Sequence, residues 1–178
     1  LTGFSSVLII QDLGWSVEKN ATWGGFATWM GLIGSIGGGL LADRIGARRL
    51  AVMAGSMLAI LTLIFADAQT LWRYDSFIIA HMFFDALLSG ILYVSLFSLC
   101  MKVSWPLVAA TQFTAYMAMM NFSRTIGQDL TGRIEDMVTI SGAYALAAVL
   151  QAAPLLFLIF IDPDQTRRVL GDRESQTD

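Results

Sequence analysis

Charge is scarce in this chain. Asp, Glu, Lys and Arg make up 14% of its 178 residues, against 56% hydrophobic, whereas a soluble domain carries about a quarter charged residues. The distribution says more than the total. No charge falls in the twenty residues Trp23–Ala42, the seventeen of Leu50–Ala66, the twenty-one of Val103–Ser123 or the twenty-five of Met137–Ile161. A hydrocarbon core of about 30 Å needs about 20 helical residues to cross it, so these tracts predict membrane-spanning helices. Several of them in one chain exclude a lone signal peptide. None alternates polar and apolar positions, which excludes a transmembrane β-barrel.

Other absences narrow the function. The single cysteine, Cys100, excludes a disulfide within the chain and reads as a small apolar packing residue. His81 is the only histidine, and no Cys/His cluster has metal-ligand spacing, so neither metal nor cofactor is expected. No basic stripe marks a nucleic-acid partner, and the net charge of −3 says little where lipid covers most of the surface. A membrane-embedded enzyme would require a second catalytic histidine or a metal cluster, so no enzymatic activity is expected.

What is present predicts an all-α polytopic membrane bundle. Spans are expected at roughly 1–13 (partial), 22–42, 49–66, 76–101, 107–130 and 138–161, with a charged tail over 162–178. The loops expected between them include 15–22, 67–76 and 132–137. Pro106 suits a helix start, and Pro154 predicts a kink in the last span. The chain begins at Leu1 inside an apolar stretch and reads as the C-terminal part of a longer protein. Arg44, Arg48, Arg49, Lys102, Arg167, Arg168 and Arg173 share one side, leaving Lys19, Arg73 and Arg133 on the other. The positive-inside rule makes the first side cytoplasmic, with the C-terminus there too.

Two spans are more polar than the rest. The fourth segment holds His81, Asp85, Ser89, Tyr93 and Ser95; the fifth holds Thr111, Gln112, Thr114, Tyr116, Asn121, Arg124, Thr125, Gln128 and Asp129. Asp85 falls ~14 Å and Arg124 ~10 Å inside the outer membrane surface. Charges at such depth are costly and mark function or pairing, so an Asp85–Arg124 ion pair is expected, serving either helix register or coupling. His81, one turn before Asp85 on the same face, reads as a proton relay or as a hydrogen-bonded interfacial residue. Thr114, Asn121, Thr125 and Gln128 form a polar stripe that reads as interhelical glue or cavity lining. Gln112 and Tyr116 are placed nearer the cytoplasmic mouth, in reach of a solute.

The stretch "GLIGSIGGGLLADRIGARRL" (31–50) raises the question of a phosphate loop. It lacks the strand a dinucleotide fingerprint needs and the Gly-Lys-Ser/Thr of a Walker loop. As a helix, it puts Gly31, Gly34 and Gly38 on one face suited to close helix approach.

The segment "GLLADRIGARRL" (39–50) resembles the cytoplasmic loop signature of major facilitator superfamily transporters, through Gly39, Asp43, Arg44 and Gly46, with Arg48 and Arg49 following. The resemblance implies helices 7–12 of such a transporter and a missing N-terminal half. "FFDALLSG" (83–90) and "AATQFTAYMAMMNFSRTIGQ" (109–128) are similar to the muropeptide permease branch, which includes acetyl-CoA and siderophore carriers. Asp85, Gln112 and Arg124 stand at that branch's motif positions, while Ser123 replaces a glycine. The resemblance implies a proton-coupled carrier in the bacterial inner membrane, moving a small anionic or glycopeptide-like solute by alternating access. In it the Asp43–Arg49 loop would act as a gating latch. A channel or a structural membrane subunit is the alternative.

Overall fold

A computed structural model describes residues 9–10, 13–135, 140–158 and 160. Among them 91% are helical and none is in a strand. Five long helices carry the fold: α1 (Val17–Ile45), α2 (Ala47–Asp67), α3 (Asp75–Val103), α4 (Ala109–Glu135) and α5 (Ile140–Leu158). Four are long and apolar enough to cross a membrane: α1, α2, α3 and Ser141–Leu158 of α5.

The expected spans 22–42, 49–66 and 76–101 lie inside α1, α2 and α3. The expected span 107–130 forms a helix, α4, that is not apolar enough to be counted with the other four. Its run of Thr, Gln, Asn and Arg side chains is the reason. The partial span 1–13 lies mostly, and the tail 162–178 wholly, outside the described residues.

Two expected loops are partly helix. α1 begins at Val17 because the Ser16 side chain accepts the Lys19 N–H at 3.1 Å and Glu18 sits in the first turn. Residues 132–135, placed in a loop by their charge, continue α4. α5 stays helical through Pro154. At the other end of α3, Trp105 is extended ahead of Pro106, which opens a single 3₁₀ turn into α4.

One residue separates α1 from α2. Gly46 adopts φ 92° and ψ 134°, its N–H donating to Ala42 O and its carbonyl accepting from Leu50 N. An L side chain rarely enters that region of backbone space, so the chain reverses here only because position 46 is glycine. Gly46→Ala finds open space but strained backbone; a loss of about 2 kcal/mol is expected in thermal unfolding in detergent.

α1 and α3 run parallel and nearly touch backbone to backbone. A Cβ at Gly38 would lie 2.9 Å from Ile91 Cα; one at Gly34 would strike the Leu87 carbonyl and one at Gly90 the Gly31 carbonyl. α2 runs antiparallel to α5, joined where Ser141 Oγ donates to Ala66 O (2.9 Å). Further along, the buried Thr62 hydroxyl donates to Leu58 O (2.9 Å) and reaches Gln151 Oε1 (3.2 Å). Polar ties of this kind hold helices together where no hydrophobic contrast with lipid does.

The core divides between the two ends. Near the start of α1 it is aromatic, built on Trp15, Phe65, Ile78 and Tyr144; at the Gly46 end it is aliphatic, built on Ala42, Leu50, Ala51, Leu99 and Leu158. Ile78 and Tyr144 share one end, and Leu99 and Leu158 the other, so α3 and α5 are parallel. α4 must therefore return the full height of the bundle, and its 27 residues reach about 40 Å.

Candidate functional site

The predicted residues fall into four places. The first is the α1–α3 seam, where Gly34 and Gly38 are buried and Gly31 faces the Ala86 carbonyl. The second is the Gly46 turn. Asp43, Arg44 and Arg49 are exposed there, Arg48 and Gly46 are half-buried, and Gly39 lies against Val94.

The third place is the middle of α3. The His81 ring lies on Phe65, with centroids 4.0 Å apart and planes 32° apart. Its Nε2 is buried and has no hydrogen-bond partner among the described residues. Phe65 is the hub of this cluster, also stacking on Trp72 (5.3 Å) and Phe77 (5.9 Å) and meeting Tyr144 at 57°. Asp85 is one helical turn further along α3 on the same face, half-buried. The His81 ring is thus packed on Phe65, with its Nε2 turned into the bundle.

The fourth place, α4, divides into two faces. Gln112 and Tyr116 are half-buried on the side that meets α3, where Phe113 sets its ring against Phe97 at 6.5 Å. Gln112 acts locally, its Oε1 accepting the Trp105 N–H at 2.6 Å and so securing the entry to α4. Asn121 and Thr125 are exposed on the far side, and Arg124, eleven residues after Phe113 and so on nearly the same side of the helix as that ring, is exposed too. The Gln128 side chain lies outside the described residues.

Asp85 and Arg124 are not paired. Neither takes part in the Lys19–Asp75 ion pair at the start of α1 and α3, and Arg124 is exposed. The helix-depth arithmetic brought the two charges level but could not see that α4 meets α3 near Phe113 and leaves Arg124 outside.

A clasp at the start of α1 and α3 was not foreseen. Asp75 accepts from Lys19 Nζ through Oδ2 (2.6 Å) and from Trp15 Nε1 through Oδ1 (2.8 Å), while Lys19 Nζ stands 4.1 Å over the Trp15 ring. The signal in the sequence was slight: a lone Asp opening an apolar run, with Trp and Lys opening another. Asp75→Asn removes the charge-assisted half of the clasp, and Trp15 fluorescence should become more accessible to aqueous quenchers. An unchanged accessibility would show that the clasp does not hold Trp15 in place.

Compared with known proteins, the chain matches no family model, no curated protein and no solved structure.

Proposed function

We propose that this chain is a six-helix half-unit of a major facilitator-type secondary transporter, integral to a bacterial inner membrane, that moves a small solute by alternating access. One observation carries the reading. Asp85 is a carboxylate ten residues inside α3, about 15 Å along a helix apolar enough to cross a membrane. It is half-buried and makes no ion pair among the described residues. An ionisable group at that depth is expensive to keep for packing alone. It can, however, switch charge as its hydration changes, which is what coupling to a proton requires.

The residues around it supply the other parts. Tyr116 stands on the face of α4 turned to α3, within the bundle. Arg124 is the counter-charge for an anionic or glycopeptide-like solute where two half-units meet. The positive-inside rule assigns the Gly46 turn to the cytoplasm. There Asp43, Arg44, Arg48 and Arg49 latch the closed face against a neighbouring bundle, released as the two rock.

The test is uptake by the full-length protein in proteoliposomes. A carrier gives saturable uptake driven by an imposed pH gradient, and Asp85→Asn abolishes the gradient dependence. Wild-type flux that never saturates makes the protein a channel; no flux of any solute makes it a structural subunit. Asp43→Asn should slow uptake while leaving the amount of protein inserted unchanged. Normal kinetics in that variant would reduce the turn to a topology anchor.

A further inference from the structure

Three cations stand exposed at the Gly46 end, where Asp43 is the one carboxylate among the described residues. Arg44 follows the buried Ala42 by two residues, Arg49 precedes Leu50 by one and Lys102 follows Leu99 by three. All three therefore rim the aliphatic core that joins α1, α2 and α3. None makes an ion pair or a hydrogen bond among the described residues, whereas Arg48 is half-buried and engaged within the chain. The first turn of α2 contains no acidic residue, and no side chain caps it. Asp43 stands about 100° round α1 from Arg44, off that face.

Each cation continues an apolar outward line. Arg49 is one turn ahead of Met53 on the stripe that runs on through Met57 and Ile60, all exposed. Lys102 is eighteen residues, about five whole turns, beyond the exposed Phe84 and shares its line on α3. Arg44 is one turn past Leu40, also exposed. This side of the bundle is not the side that a second half-unit covers over the polar face of α4. On α3, Phe97, whose ring meets Phe113 of α4, stands about 200° from Leu99 and about 140° from Lys102. α4 therefore lies across α3 from α2 and from these cations. Arg49 is also about 120° round α2 from Gly55, which meets Leu155 of α5.

We infer that this rim holds the headgroup of an anionic phospholipid, its phosphate among Arg44, Arg49 and Lys102 and its chains along Met53, Met57 and Phe84. Charge complementarity selects the occupant. Side chains lean toward the N-terminus of their helix, so Arg49, in the first turn of α2, carries its guanidinium out toward the headgroups. Arg44 and Lys102 stand in the last turns of α1 and α3, and their long stems let the charged ends turn back to the same level. Guanidinium groups take phosphate oxygens in pairs, and the ammonium adds a point charge. Phosphatidylglycerol brings one net negative charge to this rim, whereas phosphatidylcholine brings a cation of its own into it. An arginine that latches in the closed state is open to lipid in the other, so the two assignments do not collide. The inference requires that the helices cross a membrane but not that they carry a solute.

Native mass spectrometry of the full-length protein in a neutral detergent tests it. The first phosphatidylglycerol should bind at a concentration about tenfold below that needed for phosphatidylcholine, and millimolar inorganic phosphate should not displace it. Arg44→Gln, Arg49→Gln and Lys102→Gln should each weaken that binding about fivefold. Arg73→Gln, which removes an exposed cation at the other end, should leave it unchanged. Arg49→Lys keeps the charge and should recover most of the loss, which a fault in folding at that position would not allow. Equal binding of the two lipids, no lipid bound, displacement by phosphate, or a loss in Arg73→Gln as large as in the other three overturns the site. Transport plays no part in these readouts, so failure of the carrier reading leaves them standing.

Discussion

Gly34→Ala should cost this protein about 3 kcal/mol, at the upper end of overpacking penalties, and lower the unfolding midpoint in detergent by about 6–12 °C. One methyl group does this because its carbon would sit on the Leu87 carbonyl oxygen, an atom of the α3 backbone. A flexible side chain could swing aside; a helix backbone moves only as a whole. To admit the methyl, α1 and α3 must separate, and separation loosens the contacts at Gly31, Gly38 and Gly90 together. Gly90→Ala should behave alike, since its methyl meets the Gly31 carbonyl from the other side. Gly37→Ala is the control. Nothing lies within 4 Å of a Cβ there, so the substitution gains helix propensity of up to about 1 kcal/mol without a clash. If Gly34→Ala and Gly37→Ala melt together, the close approach of α1 to α3 is wrong.

That contrast also marks what the sequence could tell. Five of the expected spans emerge as helices, because long charge-free tracts leave a helix as the one structure that satisfies its own backbone in lipid. The Gly31, Gly34, Gly38 face was legible from spacing alone, although its partner α3 was not, and the matching Gly90 drew no notice. The limits appear where side chains act locally or across distance. Ser16 as an N-cap, Gln112 holding the Trp105 amide and Asp75 gathering Lys19 and Trp15 each need a particular partner in space. Periodicity cannot supply it. The expected Asp85–Arg124 pair failed for a related reason. Depth in a membrane is one coordinate and follows from counting residues, but whether two helices touch at that depth depends on packing: α4 meets α3 at Phe113, near its start, while residues 121–127 are all exposed.

The largest single loss should come from Phe65→Ala. Phe65 is 2% exposed and is the common neighbour of Trp72, Phe77, His81 and Tyr144. Truncating a buried phenylalanine costs about 3–5 kcal/mol, from lost transfer energy and the cavity left behind, and ring pairs add about 0.5–1.5 kcal/mol beyond area. Four rings face the vacancy, Phe77 and His81 from α3, Tyr144 from α5 and Trp72 from the link between α2 and α3, so the site cannot collapse without moving α3 and α5 toward α2. A midpoint lower by about 8–16 °C is expected, with loss of the near-ultraviolet dichroism that packed aromatic rings produce. Phe65→Leu keeps most of the volume and should lose about 1.5 kcal/mol or less. Phe84→Ala separates burial from residue type: Phe84 is 56% exposed, on the outside of α3, where lipid or detergent fills the space of the missing ring. The two alanine variants should therefore differ by nearly the whole effect. A second consequence reaches His81, whose buried Nε2 finds no hydrogen-bond partner among the described residues. The cavity left by Phe65 opens beside that imidazole, and a water entering it meets a polar atom able to hold it. Hydrogen exchange of the His81 ring should then quicken in Phe65→Ala and stay slow in Phe84→Ala; equal rates would mean that Phe65 does not cover His81.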